Sequence, residues 1–397
     1  MEVQLFVKDK ITIITPVYNK ERYISSAIES VLSQKFQDFE YIIIDDGSTD
    51  GSSTICDNYA LREPRIRVIH QKNQWLYASM NNGIKEAAGS YVYILNADDN
   101  LRPGALSRMA DIIEQYRPDV VWTKVPSHKC DADQNILEYD YIHETRAYKQ
   151  DYYYQNKKEV RESWLFFLKT KLAMNQANLY RRDLALSHPF RNDVYNADAL
   201  FNMGIANAVN TAFALNEPIY DYFYYVNESN MNISINKYYG YEHRMYNDFY
   251  TGYLDLYKQW DMLSEEVIQF FSEIRMKDLT KEIISFVNSD FATDVEKKLD
   301  VIFNEFLDAT ILKCARDSKR EDELESRILC SLNELFRNNP LSENDKYWFI
   351  FDYIYRFLKH DKHVYDYEQM RKDINNPANK NNIGKICFDK MIKSINL

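Results

Sequence analysis

The chain has 397 residues, 45% hydrophobic and 27% charged, enough for two or three domains and a sizeable core. A formal charge of −11 argues against nucleic acid as a main partner and against broad adhesion to anionic lipid, because phosphate-rich surfaces select basic proteins. Five scattered cysteines with no Cys/His spacing speak against zinc and for reduced thiols, and no stretch reaches the roughly 18 apolar residues of a membrane span.

Ile11–Thr15 is a short β-branched run, expected to be a strand that ends at Pro16. From Glu21 to Ser33 the apolar positions Ile24, Ala27, Ile28, Val31 and Leu32 follow the stripe of an amphipathic helix. Phe39–Ile44 reads as a second strand and runs into Asp45, Asp46, Gly47, Ser48, Thr49, Asp50 and Gly51, a turn dense in acids. A helix follows through Ile55 to Leu61, a third strand over Arg65–Ile69, and another helix over Tyr77–Ala88 that Gly89 closes. Tyr91–Leu95 is an apolar run without alternation, the pattern of a strand buried on both faces. A helix from Pro103 to about Tyr116 and a strand over Asp119–Trp122 complete the alternation. Strands alternating with helices over short connections predict an α/β fold with a mainly parallel sheet.

Acids at the ends of two of these strands mark the expected ligand edge of such a sheet. Asp98 and Asp99 are adjacent, repel each other, and suit a divalent cation that carries a phosphate. The alternative is a turn that caps the next helix. Asp45 and Asp46 can accept the N–H and O–H donors of a nucleoside, or cap the following helix as a tight turn. No P-loop and no Gly-x-Gly-x-x-Gly is present, so phosphate cradling of those kinds is not expected.

Thr15 to Glu21, Asp45 to Gly51, Met80 to Ile84 followed by Ala88 to Tyr91, and Asn96 to Asp99 occur in order over about 90 residues. Together they resemble the nucleotide-sugar half of the family-two inverting glycosyltransferases with the GT-A fold. The resemblance implies a Rossmann-like, mixed but mainly parallel sheet flanked by helices. It implies that Thr15, Pro16, Val17, Tyr18, Glu21, Asp45, Asp46, Asn81, Asn96, Ala97 and Asp98 surround the donor nucleotide. Tyr18 would stack on the base, and Asp46 or Asp45 would bond its edge. Asp98 and Asp99 would serve the ribose and a Mn2+ or Mg2+ ion on the diphosphate. The chain departs from the family's habit at Asn96, where an acid is usual, at Trp75, where Gly is common, and at Met80, where Arg is common.

Farther on, Ser127–Glu159 is polar and tyrosine-rich without clear periodicity. It is expected to be an excursion at the sheet edge near the acceptor, or a surface loop with small helices. Trp164–Lys171 reads as helical. Asn178–Leu184 and then Tyr195–Phe201 resemble the family's Tyr-Arg-Arg segment and the acidic pair before a hydrophobic helix. The resemblance makes Asp198 the catalytic base, with Ala197 where the first acid usually stands and Asp193 as the fallback. The residues alone allow Asp198 to be a helix N-cap as well. Asn216–Tyr222 matches the family's last strand, with Ser229 and Ser234 near its end.

Residues 236–397 lack strand alternation and are expected to form a helical C-terminal domain behind a glycosyltransferase domain over 1–235. Thr293 with Glu296 and Ser318 with Glu321 read as capping boxes. The first would open a helix carrying Val295, Leu299, Ile302, Phe303, Phe306 and Leu307. The second would open one carrying Leu324, Ile328, Leu329, Leu332, Leu335 and Phe336, with Lys346–Leu358 aromatic-rich beyond it. The resemblance implies transfer of a sugar from a UDP-linked or other nucleotide-sugar donor to a hydroxyl of a saccharide or lipid-linked acceptor, with inversion, in surface polysaccharide synthesis. The implied location is the cytoplasm, with peripheral association at the inner face of the membrane, and the helical domain could hold a homo-oligomer or another partner. A catalytically silent nucleotide-sugar-binding or scaffold protein is the alternative, to which Asn96 and Ala197 would be suited.

Overall fold

The computed structural model describes residues 11–131, 135–140, 150–174, 177–225, 238–287, 289, 298, 301–302, 305–321, 323–324 and 327–328. The chain divides into two compact units, Met1–Asn232 and Ile233–Leu397.

The first unit begins with β1 (Ile11–Val17), α1 (Ile24–Leu32), β2 (Phe39–Asp45), α2 (Ser52–Ala60), β3 (Ile66–His70), α3 (Leu76–Glu86) and β4 (Tyr91–Ile94). Every residue of β1 and of β4 is buried, which explains why Tyr91–Leu95 reads as an apolar run without alternation. Next come β5 (Asn100–Leu101), α4 (Ala105–Tyr116), β6 (Val120–Thr123), β7 (Ser127–Cys130), β8 (Ile136–Asp140) and β9 (Tyr152–Tyr154). The unit closes with α5 (Lys157–Glu162), α6 (Trp164–Lys169), a 3-10 turn, β10 (Leu179–Arg181), α7 (Arg182–Ser187), α8 (Ala197–Ile205), β11 (Ala212–Leu215) and β12 (Tyr220–Tyr225).

The main sheet has the order β3-β2-β1-β4-β10-β6-β11-β9. Pairs β1/β2, β2/β3, β1/β4 and β6/β11 are parallel, whereas β10 runs antiparallel between β4 and β6. This is the expected mixed, mainly parallel sheet flanked by helices. The chain winds from β1 outward to β3 and then returns to add β4 on the other side. The crevice at the carboxyl ends of β1 and β4 is therefore the switch point where such sheets take ligands.

Two local details position that edge. The strand β1 does not stop at Pro16 as expected but pairs through Val17 with Asp45. The Ile14 carbonyl accepts from Leu95 N on the β4 side, and the Val17 carbonyl accepts from Asp46 N on the β2 side. By alternation the Pro16 nitrogen faces β4, whose ladder with β1 has already ended at Ile14, so no donor is missed. The second detail is Gly83 in α3. A Cβ there would lie 2.4 Å from Ile14 Cγ2, so only glycine lets α3 approach β1 this closely.

The tyrosine-rich stretch is built differently from the expected loop with small helices. It contributes β7 and β8 to a second sheet of order β5-β12-β7-β8, and β9 to the edge of the main sheet beside β11. Strands of three to five residues are too short for their two-residue period to stand out, which is why the sequence concealed them.

In the second unit, α9 (Glu242–Gln259), α10 (Glu265–Val287) and α11 (Ala309–Asp317) are described, and α10 packs on both others. Their interface is aromatic: Tyr253 and Phe271 stack at 4.7 Å, with Phe249 and Tyr257 beside them. The Glu242 carboxylate accepts from the backbone N–H groups of Tyr239, Gly240 and Tyr241 ahead of α9. Buried Arg275 pairs with Glu282 at 3.2 Å. Of the two stripes read from the sequence, Ile302, Phe306, Leu307, Leu324 and Ile328 are buried. The remainder, with Thr293, Glu296 and Lys346–Leu358, lie outside the described residues, as do Ser229 and Ser234. Ser318 is not an N-cap: its hydroxyl donates back to the Cys314 carbonyl at 2.6 Å and closes α11, whose own N-cap is Asp308. Among the described residues no helix is long and apolar enough to cross a membrane. Cys56, Cys130 and Cys314 are buried and form no disulfide.

Candidate active site

Three strand ends converge at the switch point: Val17–Tyr18 after β1, Asp45–Asp46 after β2, and Asn96–Asp99 after β4. Asp46 is buried, and its Oδ1 accepts from Gln71 Nε2 at 2.6 Å and from the Gln74 backbone N–H at 2.8 Å. Asp45 is turned to a different task. It accepts from Ser48 N at 3.1 Å and pairs with His70 Nδ1 at 2.8 Å. Burial pushes its carboxyl up, but the Ser48 and His70 bonds outweigh that and hold it below its ordinary value. Asp45 thus shapes its own turn, whereas Asp46 is tied to the segment after β3.

The two acids after β4 also divide. Asp99 is fully buried. Its Oδ2 accepts from the Tyr220 hydroxyl at 2.5 Å and from Asn96 Nδ2 at 2.9 Å, and its Oδ1 accepts from Phe223 N at 2.9 Å. Burial, then the neighbouring charge of Asp98, pushes its carboxyl above the usual range. Both Asp99 oxygens are therefore committed to protein donors. Asp98 is partly exposed, and its Oδ2 lies 2.8 Å from Lys20 Nζ. Asn96 gains a reason here: its amide donates to Asp99, which an acid in that place could not do.

The remaining expected donor residues mostly build the frame. The Thr15 hydroxyl is buried against Tyr41 OH at 3.0 Å, and Ala97 is core. Glu21 Oε2 accepts from Gly51 N at 2.7 Å and so staples the loop after β1 to the loop after β2. Pro16 and Val17 are buried in β1, whereas Tyr18 is 38% exposed at its end. Asn81, on α3, binds the Phe190 backbone.

Asp198 stands in the first turn of α8, behind Asn196 in the left-handed region. Its Oδ1 receives the Tyr77 hydroxyl from α3 at 3.4 Å. Desolvation dominates its titration and raises it to about 6, against the backbone N–H groups of Ala199 and Asp198 and the Tyr77 hydroxyl. Asp193, the fallback, is already paired with Arg191 at 2.8 Å. On β12, burial and then the charges of Asp99, Asp98, Tyr224 and Asp198 raise the Tyr222 phenol.

Sequence reasoning did not single out Lys20, Gln71, Tyr77 or Tyr222. Lys20 and Tyr77 carried a signal in their position, inside the quoted motif and at the start of a helix. Tyr222 closes the quoted Asn216–Tyr222 segment, and Gln71 carried no signal. Trp75 was noted only for standing where glycine is common. It has φ 73° and ψ 166°, a conformation that costs a non-glycine residue on the order of 1–3 kcal/mol.

A Mn2+ or Mg2+ ion fits the donor set in one way. Asp98 offers a partly exposed carboxylate with Lys20 on its Oδ2 only, and such ions are commonly held by one or two carboxylates together with substrate phosphates and water. Asp99 fits as the residue that fixes the Asp98 turn rather than as a ligand.

Residues 12–185 match the model described as Glycosyl transferase family 2. Curated relatives include the uncharacterized glycosyltransferase EpsJ of Bacillus subtilis (strain 168), 40% identical over 111 residues, 28% of this chain and 32% of that protein. Glycosyltransferase GlyG of Streptococcus pneumoniae serotype 4 is 34% identical over 116 residues, 29% of this chain and 38% of that protein. The chain thus spans well under half the length of these relatives. Among solved structures, S. aureus TarS 1-349 in complex with UDP-GlcNAc aligns over 97% of this chain and 89% of that one, with 17% identity and a TM-score of 0.48.

Proposed function

We propose, from the family 2 glycosyltransferase domain that residues 12–185 carry, that this chain transfers a sugar with inversion from a nucleotide-sugar donor, UDP-linked, to a hydroxyl of a saccharide or lipid-linked acceptor. The reading extends to surface polysaccharide synthesis at the cytoplasmic face of the membrane. The observation that supports it is Asp198, set in the first turn of α8 with the Tyr77 hydroxyl of α3 at 3.4 Å from its Oδ1 and raised by desolvation to about 6.

Each residue then has a task. The donor base lies over the end of β1, with Tyr18 against its face and Asp46 at its edge. Lys20 and Asp98 stand beside the diphosphate. Asp98 would hold a Mn2+ or Mg2+ ion, which when bound supplies Lewis-acid stabilisation of the leaving diphosphate. Asp198 accepts the proton of the acceptor hydroxyl as that oxygen attacks the anomeric carbon. A base with a pKa near 6 is charged at neutral pH yet still basic enough to take a proton in the transition state. Inversion follows from a single displacement, for which one carboxylate suffices, so Ala197 takes nothing from the mechanism. Tyr77 orients Asp198.

The test is a panel of nucleotide sugars with a saccharide acceptor, scored by release of the nucleoside diphosphate with Mn2+, with Mg2+ and with chelator. Release from one donor that Asp198→Asn abolishes is the expected result. Tight donor binding without release from any donor would overturn transfer and leave a binding protein.

A further inference from the structure

Asp46 sits at the end of β2, the middle strand of the β3-β2-β1 group, and is held from both sides. From the β1 side the Val17 carbonyl accepts the Asp46 N–H at 2.8 Å, and the next residue is Tyr18, 38% exposed. From the β3 side the Gln74 N–H donates to Asp46 Oδ1 at 2.8 Å, and the next residue is Trp75, 65% exposed. The two aromatics therefore leave the protein one residue beyond the two groups that clamp Asp46, on opposite flanks of it. Trp75 is the N-cap of α3, the helix that packs on β1 and β2, so both aromatics border the end of β2. A planar ring between two others needs roughly 7 Å, twice a carbon–carbon contact of about 3.5 Å. Trp75 keeps its place there in a backbone conformation that glycine would adopt without cost, so the large side chain is retained against the local preference of the chain.

We infer that Trp75 is the second aromatic wall of the nucleobase slot, so that the donor's base is stacked between Tyr18 and Trp75 with Asp46 at its edge. The inference rests on the donor-binding reading above. Stacking on an aromatic face holds any base, so Trp75 supplies affinity and Asp46 supplies the choice of base.

Calorimetric titration of the wild type with UDP, GDP, CDP and ADP, and with inorganic pyrophosphate, sets the baseline. Trp75→Gly is then titrated with the preferred nucleotide while its Tm is measured. The expected result is at least tenfold weaker nucleotide binding, unchanged pyrophosphate binding, and a Tm equal to or above the wild type. Trp75→Phe should lose less than threefold, and the fluorescence quench that nucleotide causes in the wild type should vanish in it. Unchanged affinity in Trp75→Gly overturns the second wall and leaves the donor reading standing. Weaker binding accompanied by a lower Tm also overturns it, because Trp75 would then be a structural residue. A wild type that binds none of the four nucleotides overturns the donor reading itself.

Discussion

Asn81 and Phe190 exchange two hydrogen bonds: the amide Nδ2 donates to the Phe190 carbonyl at 2.8 Å, and the Phe190 N–H donates to Asn81 Oδ1 at 2.9 Å. The pair joins α3 to the segment that leads into Asp198, across 109 residues of chain. Tyr77, one turn earlier on α3, then reaches Asp198 itself. Removing the amide strands both backbone groups of Phe190. Asn81→Ala should cost about 2 kcal/mol of stability, read by urea unfolding. It should lower kcat while leaving nucleotide affinity within twofold. A drop in nucleotide affinity with unchanged kcat would return Asn81 to the donor site.

Asp198→Asn should abolish transfer and leave nucleotide binding intact; turnover at the wild-type rate would remove Asp198 from the mechanism. In the wild type kcat/KM should rise with pH through about 6 and then level, because the base is active only when charged. The Tyr77 hydroxyl lowers that pKa, so Tyr77→Phe should move the rise to higher pH. A profile that stays in place would mean that Tyr77 does not touch the base in solution. For stability the sign is the opposite of a salt-bridged acid. The folded pKa is raised, so the group's contribution falls as pH climbs from about 4 to about 6.

How far the sequence could be read depended on the kind of contact involved. β1, β2, β4 and the helices between them were legible because burial on both faces and one-sided helix burial leave their periods in the residues themselves. Asp46, Asp98 and Asp198 could be singled out as candidates because they sit in short motifs. The division of labour between Asp98 and Asp99 was not. It depends on Tyr220 and Phe223, more than a hundred residues away, and nothing local in Asn96–Asp99 says which acid faces inward. Likewise Asp45 and Asp46 read as equivalent until His70 and Gln71, successive residues at the end of β3, are seen to take one each.

That division makes a sharp comparison. Asp98→Ala removes a partly exposed partner of Lys20 and should change stability by less than about 1 kcal/mol. It should also remove the metal dependence of nucleotide binding. Asp99→Ala strands the Tyr220 hydroxyl, the Asn96 amide and the Phe223 N–H, and should cost about 3 kcal/mol or more. Thermal unfolding with and without chelator separates the two. Equal destabilisation by both substitutions would contradict the assignment.

Gly83→Ala tests the seat of α3. Alanine in a helix interior gains about 1 kcal/mol over glycine. A Cβ 2.4 Å from Ile14 Cγ2 must push α3 off β1, which costs about 3 kcal/mol at the upper end of overpacking. The expected net is a loss of about 2 kcal/mol in chemical unfolding. A stabilised variant would show that α3 has room to move.

The bond from Phe223 N to Asp99 also has a consequence in time. A chain made from its N-terminus exposes Asp99 long before residue 223, 124 positions later, has been added. Closing a loop of that length costs about 4 kcal/mol of chain entropy, and until it closes a carboxylate destined for the interior must stay in water. The strands β1 to β4 can pair early, but the turn that presents Asp98 takes its final shape only when β12 docks. If the donor site is as proposed, a nascent or truncated chain ending before β12 would have the nucleobase side of that site without a finished Asp98 turn. On that reading, competence for the donor would arrive together with β12.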